Sequence, residues 1–196
     1  STGTVGAVTV ANSLVGTTAG DSVGYLSANG IANGVTALTN GNYVVSSDKW
    51  DNGAIVDAGA TTWGNGTTGV SGAVTPVNSL VGTSANDNVG MGGVTPLTNG
   101  NYVVSSFNWT NRQGAATFGN GTTGITGAVS FANSLVGTNT DFVGGTNATP
   151  ANSFNGVTAL PNGNYIVASG LWDNGAATSA GAVTLGNGLT GAPGPV

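Results

Sequence analysis

Few side chains in this chain can do chemistry, and they recur at fixed phases of a repeated sequence. Asp21, Asp87 and Asp141 each open an Asp-x-Val-Gly run, and Trp50, Trp109 and Trp172 stand in SSDKWDNG, SSFNWTNR and ASGLWDNG. An aspartate so placed either accepts backbone N–H bonds in a turn or offers an oxygen to calcium. Calcium takes six to eight oxygens and usually several carboxylates, whereas each repeat offers about one. A tryptophan recurring once per unit is either a wedge between neighbouring units or a stacking platform for a sugar or other flat ligand. Trp50, Trp109 and Trp172 are therefore the candidate ligand-binding residues. No catalytic residue, metal ligand or cofactor is expected.

The absences are as informative. The 196 residues include no Cys, no His, no Glu, seven Asp and two basic residues, Lys49 and Arg112. Without His or Cys there is no Ser-His-Asp or Cys-His nucleophile and no zinc site of the usual kind. A glycosidase needs two carboxyl groups at about 5 to 9 Å with separated pKa values, and every carboxylate here lies in a variable connection. The chain reads as no enzyme. A net charge of −5 cannot neutralise a phosphate backbone, so nucleic acid is excluded as a partner. No run of about 18 apolar residues suggests membrane insertion. The opening STGTVGAVTV lacks the charged n-region and apolar core of a signal peptide, so the chain is expected to be soluble or already processed.

The elements that position these residues are organised around GVTALTNGNYVVSS at 34–47, which returns as GVTPLTNGNYVVSS at 93–106 and GVTALPNGNYIVAS at 156–169. Apolar runs with Val, Ile and Tyr around Asn40-Gly41, Asn99-Gly100 and Asn162-Gly163 predict three β-hairpins. A third strand follows as GATTWGNGTTG, GAATFGNGTTG and GAVTLGNGLTG, in which Trp63, Phe118 and Leu185 share a core position. GAVTVANSLVG at 6–16, with its copies at 72–82 and 127–137, reads as one outer strand or two short ones. Pro76 belongs at an edge or bulge because it has no amide to donate. The 39% apolar and 5% charged composition with period-two placement argues for a folded all-β chain rather than a disordered one. All nine charged residues fall in connections.

Four short strands per unit of roughly 60 residues with Gly-rich turns is the form of a β-propeller blade. The expectation is one repeat domain, 1–196, with repeats at about 17–82, 83–137 and 138–191 and residues 6–16 as the outer strand closing the last blade. A β-solenoid is the alternative architecture, disfavoured because tight Asn-Gly hairpins make antiparallel neighbours.

On Gly20-Asp21-Ser22-Val23-Gly24, the NYVVSS strand, Asp51-Asn52-Gly53 and GAVTLGNG at 181–188, the unit resembles an FG-GAP repeat of the integrin-α propeller type. It resembles more closely still the uncharacterised repeats of very large bacterial secreted proteins that are similar to filamentous haemagglutinins and adhesins. The resemblance implies an extracellular or bacterial cell-surface module for adhesion or spacing. The calcium loop of FG-GAP blades, D-x-D-x-D-G, is replaced by LTNGNY or LPNGNY, so calcium does not carry over. A carbohydrate-binding, lectin-like propeller using one Trp per repeat is the alternative function, with glycans as partners. Three blades cannot close a ring of about four to eight. A homodimer completing a six-bladed ring, or further repeats of a longer parent, is expected to finish the last blade.

Overall fold

A computed structural model describes residues 6–27, 33–146 and 155–196. Parts of the variable connections 17–33 and 138–155, and the first residues of the opening segment, lie outside the described residues.

The three hairpins form where Asn-Gly places them. Strand β2 (Val35–Ala37) pairs antiparallel with β3 (Tyr43–Ser47), β7 (Gly93–Pro96) with β8 (Tyr102–Ser106), and β12 (Val157–Ala159) with β13 (Tyr165–Ser169). In the first, the Gly41 amide donates to the Leu38 carbonyl at 3.1 Å and the Leu38 amide to the Asn42 carbonyl at 2.8 Å. Only Gly41 of the pair has positive φ, 87°. This is a type I turn closed by a left-handed glycine, the three-residue loop form of a hairpin, and it is repeated at Gly100 and Gly163.

A third antiparallel strand follows each hairpin: β4 (Ala60–Gly64), β9 (Ala115–Gly119) and β14 (Ala182–Gly186). Each ends in a glycine facing the tyrosine of the neighbouring strand. A Cβ at Gly119 would lie 2.1 Å from Cζ of Tyr102, and one at Gly64 2.3 Å from Cζ of Tyr43. The ring lies flat across the position because no side chain is there.

The segment read as one outer strand or two is two, and they serve different sheets. Short β1 (Leu14–Val15) pairs in parallel with β5 (Gly72–Ala73). Strand β6 (Ser79–Val81) pairs antiparallel with β4, with Thr62 opposite Ser79 and Ala60 opposite Val81. The pattern repeats. Strand β10 (Gly127–Ala128) lies parallel to β6, and β11 (Ser134–Val136) is antiparallel to β9. Finally β15 (Gly194–Pro195) lies parallel to β11. Pro76 sits in the turn between β5 and β6, where its carbonyl accepts from Gly127.

The sheets are therefore β10-β6-β4-β3-β2, β15-β11-β9-β8-β7, the three-stranded β12-β13-β14 and the pair β1-β5. The fold is all-β, and among the described residues no sheet closes on itself. The opening strand does not complete the third sheet of its own chain: β1 pairs with β5, beside the first repeat, and β14 pairs with β13 alone. One four-residue helical turn among the described residues, Trp109–Arg112, contains left-handed Thr110 and Asn111. Among the described residues no helix is long and apolar enough to cross a membrane.

The core lies between successive sheets. Leu38, Val44, Leu80, Val94, Tyr102 and Val104 fill the first layer, and Leu97, Val103, Leu135, Val157, Tyr165 and Val167 the second. Strand β8, covered on both faces, is buried at every residue, as expected of a strand with no solvent side. Strand β13 alternates because only one face is covered.

Candidate functional site

The aspartates are held as turn anchors. One oxygen of Asp87 accepts the amides of Thr83 and Ser84 at 2.9 Å each, and the other accepts the Thr110 amide at 2.9 Å. Asp21 repeats this with Thr17, Thr18 and the amide of Asp51. Asp141 accepts from the amides of Thr138 and Asn139. All three carboxylates are buried, and in the first two repeats each ties the loop before the hairpin to the residue after the tryptophan. Lys49 pairs with Asp57 at 2.8 Å, and Asp173 accepts the Ser179 amide at 2.7 Å. Among the described residues no group of three His, Cys, Asp or Glu side chains is placed to hold a metal ion.

The tryptophans sit inside the stack. Trp50 is 3% exposed and packs with Ala60, Val74 and Val81, against which Leu14 lies. Trp109 is 5% exposed, in one cluster with Leu80, Ala115, Val129 and Val136, which are the same positions one repeat later. Neither ring offers a face to solvent. Trp172 is half-buried, and its indole N–H donates to the Val196 carbonyl at 3.3 Å. The outer strand that would bring the counterpart of Val81 and Val136 over it is missing from the third sheet.

The residues that join one repeat to the next were read in the sequence only as turn formers. The side-chain amides of Asn40 and Asn42 both donate to the Gly121 carbonyl, at 2.8 and 2.9 Å, and the Trp63 indole adds a third bond at 2.9 Å. One repeat on, Asn99 and Asn101 donate to the Gly188 carbonyl, each at 2.8 Å. The oxygen of Asn42 accepts the Gly66 amide within its own repeat, as Asn101 does from Gly121. The first two Asn-Gly-Asn turns thus each grip the Gly-Asn-Gly turn of their own repeat with an oxygen and that of the next with their N–H groups. The recurrence of both tripeptides in every copy was the available signal.

Burial raises the pKa of Tyr102 and Tyr165. Tyr102 is pushed well above the ordinary phenol value, with the Ile125 backbone partly opposing the shift, and Tyr165 is pushed up to about 12. These phenols are neutral packing groups.

Stacked β-meanders, tied turn to turn by the same residues each time, define a tandem-repeat protein of the all-β class. The chain belongs to the family described as a repeat of unknown function (DUF5650), whose model matches residues 1–25, 37–91, 96–145 and 159–196. No curated protein and no solved structure matches it significantly.

Proposed function

We propose that the chain is a non-catalytic structural repeat module of a secreted or bacterial surface protein, built of propeller-like blades and serving as an adhesive scaffold or spacer. The observation that carries this reading is the paired Asn grip on Gly121 and Gly188. The polar groups that recur most faithfully in the repeats are used to hold one unit to the next. The burial of Trp50, Trp109 and the three aspartates supports it, since these side chains are occupied with packing and turn anchoring. The FG-GAP-like and adhesin-like resemblance supports the extracellular placement.

In a repeat array, stability is a sum of unit terms and nearest-neighbour interface terms. The test is a chain with residues 83–137 duplicated in frame, compared with the parent by denaturant unfolding and by a glycan panel. The scaffold reading expects a higher midpoint for the longer chain and neither saturable glycan binding nor turnover by either. Saturable glycan binding lost on Trp172→Ala would replace it with the lectin-like reading.

A further inference from the structure

The two ends of the stack are complementary to each other. At the third repeat, β14 has no outer strand among the described residues. Val183 and Leu185 are 72% and 62% exposed, whereas Thr61 and Ala116, at the position of Val183, are buried. At the first repeat, β1 uses only the edge paired with β5. Its counterparts β6 and β11 each use a second edge, antiparallel to β4 and β9. The hydrogen-bond grips match in the same sense. The Asn162 and Asn164 side-chain N–H groups have no acceptor among the described residues, and the Gly66 carbonyl, counterpart of Gly121 and Gly188, has no donor there.

We propose that the chain binds a second copy of itself head to tail, the β1 strand of one copy completing the third sheet of the other. The internal repeats fix the register. Ser79 lies opposite Thr62 and Ser134 opposite Thr117, which places Ser13 opposite Thr184, Leu14 opposite Val183 and Val15 opposite Ala182. Both internal hydroxyl pairs are buried at 2.7 Å. The Ser79 hydroxyl also reaches the Asn78 side-chain oxygen at 2.9 Å. Ser13 already makes that bond to Asn12, at 2.9 Å, leaving its oxygen to accept from Thr184.

Three further contacts follow from the same operator. Asn162 and Asn164 of one copy reach the Gly66 carbonyl of the other. Val15 covers Trp172 as Val81 covers Trp50. Leu185 lies on Gly69, as Trp63 lies on Gly124 and Phe118 on Gly191, where an added Cβ would stand 2.8 and 2.9 Å from the aromatic Cβ. At Gly69 the nearest atom to such a Cβ is the Tyr43 hydroxyl, 3.9 Å away, so the place is open. Gly6–Val8, which hold no strand, swing aside for Gly194–Val196 of the other copy. The contact is heterologous, so copies add in a line or a ring according to whether the rotation closes. The inference rests on the scaffold reading and names its partner.

Two variants test it, at positions half-exposed in the single chain, so each is expected to keep the parent's circular dichroism and melt. Ser13→Lys disables the donor strand and Thr184→Lys the acceptor edge. By light scattering the parent should grow with concentration in multiples of 18.8 kDa, and each variant alone should stay at the single-chain mass. An equimolar mixture has one live donor and one live acceptor and should stop at about twice that mass. Asn162→Ala with Asn164→Ala should raise the association midpoint about tenfold, as loss of one or two hydrogen bonds implies.

For weak association, Ser13→Cys mixed with Thr184→Cys should give a disulfide-linked pair on mild oxidation. The parent has no cysteine, and Val77→Cys in place of Ser13→Cys should give none. A mixture that stays at single-chain mass without the disulfide, or variants that associate like the parent, overturns the proposal. Such a failure leaves the scaffold reading in place, whereas glycan binding by single chains would overturn that reading and leave the mixing result untouched.

Discussion

Asn42 and Gly121 are 79 positions apart in sequence, and the Asn42 side-chain amide donates to the Gly121 carbonyl at 2.9 Å while its oxygen accepts the Gly66 amide at 2.9 Å. One side chain therefore holds two repeats at once. Asn164 accepts the Gly188 amide at 3.0 Å but has no following repeat within the chain to grip. Asn42→Ala is expected to destabilise by about 1 to 2 kcal/mol, the loss of two hydrogen bonds, with the Gly121 carbonyl still held by Asn40 and Trp63. Asn164→Ala should cost roughly one hydrogen bond less, about 1 kcal/mol. Urea unfolding of both variants at high dilution checks the order, and equal losses would count against the inter-repeat role of Asn42.

This grip marks the boundary of what the sequence disclosed. The hairpins were legible because Asn-Gly between β-branched runs is a local signal. The aspartates were legible as turn anchors for the same reason, and both oxygens of Asp87 accept backbone amides. The parallel pairs β1-β5, β6-β10 and β11-β15 were not legible. Gly72-Ala73 and Gly127-Ala128 are two residues long and carry almost no side chain to set a period. The second role of Asn42 was hidden because a turn already accounts for an asparagine locally. Of the candidate site, the sequence located the three tryptophans but left open which way they faced. That depends on Ala60 and Val81 arriving from other strands and Val74 from the segment after β5.

Tyr102 and Gly119 form a pair in which the absence of a side chain makes room for a ring. Gly119→Ala puts a Cβ 2.1 Å from Cζ of Tyr102 and should destabilise by about 1 to 3 kcal/mol through overpacking. Tyr102→Ala leaves a cavity and should cost about 3 to 5 kcal/mol, as truncation of a large buried aromatic does. The double variant should lose less than the sum, because the added methyl then points into vacated space. Strict additivity in a thermal double-mutant cycle would refute the packing relationship.

Tyr102 and Tyr165 should also contribute to loss of stability at alkaline pH. Tyr102 and Tyr165 have folded-state pKa values raised by burial above the ordinary 10. The folded chain therefore keeps phenolic protons that the unfolded chain gives up. Stability should be unaffected by these groups below pH 10 and fall as pH rises from 10 toward the folded values, because the unfolded state binds fewer protons there. Tyr102→Phe should flatten the decline between pH 10 and 11.5 relative to the parent, each normalised to its own stability at pH 8. An unchanged slope in both this variant and Tyr165→Phe would mean that other groups cause the loss.

The tryptophans should report their places separately. Among variants retaining one tryptophan each, with Phe at the other three positions, Trp50 and Trp109 are expected to emit to the blue and resist acrylamide, as 3% and 5% exposure require. Trp172 should be the more strongly quenched, with protection rising at concentrations where copies associate. Rapid quenching of Trp50 or Trp109 in a chain that keeps its β circular dichroism would contradict the burial that removes them as stacking platforms.

Asp87 tests what the recurring aspartate does. Its two oxygens take three backbone N–H groups from both sides of the loop, and bonds from amides to a buried carboxylate are stronger than neutral ones. Asp87→Asn keeps the volume but turns an NH2 group toward one set of these donors. Its cost should reach about 2 to 3 kcal/mol, the upper range for losing a charge-assisted bond and leaving a donor unpaired. A calcium ligand would behave differently. Millimolar calcium should leave the melting temperature of the parent unchanged, since the oxygens are already filled and, among the described residues, no cluster of acidic side chains is placed to complete six to eight ligands. A melt that rises by several degrees with calcium, returns with chelator, and loses the response in Asp87→Asn would show that the loop opens to bind the ion.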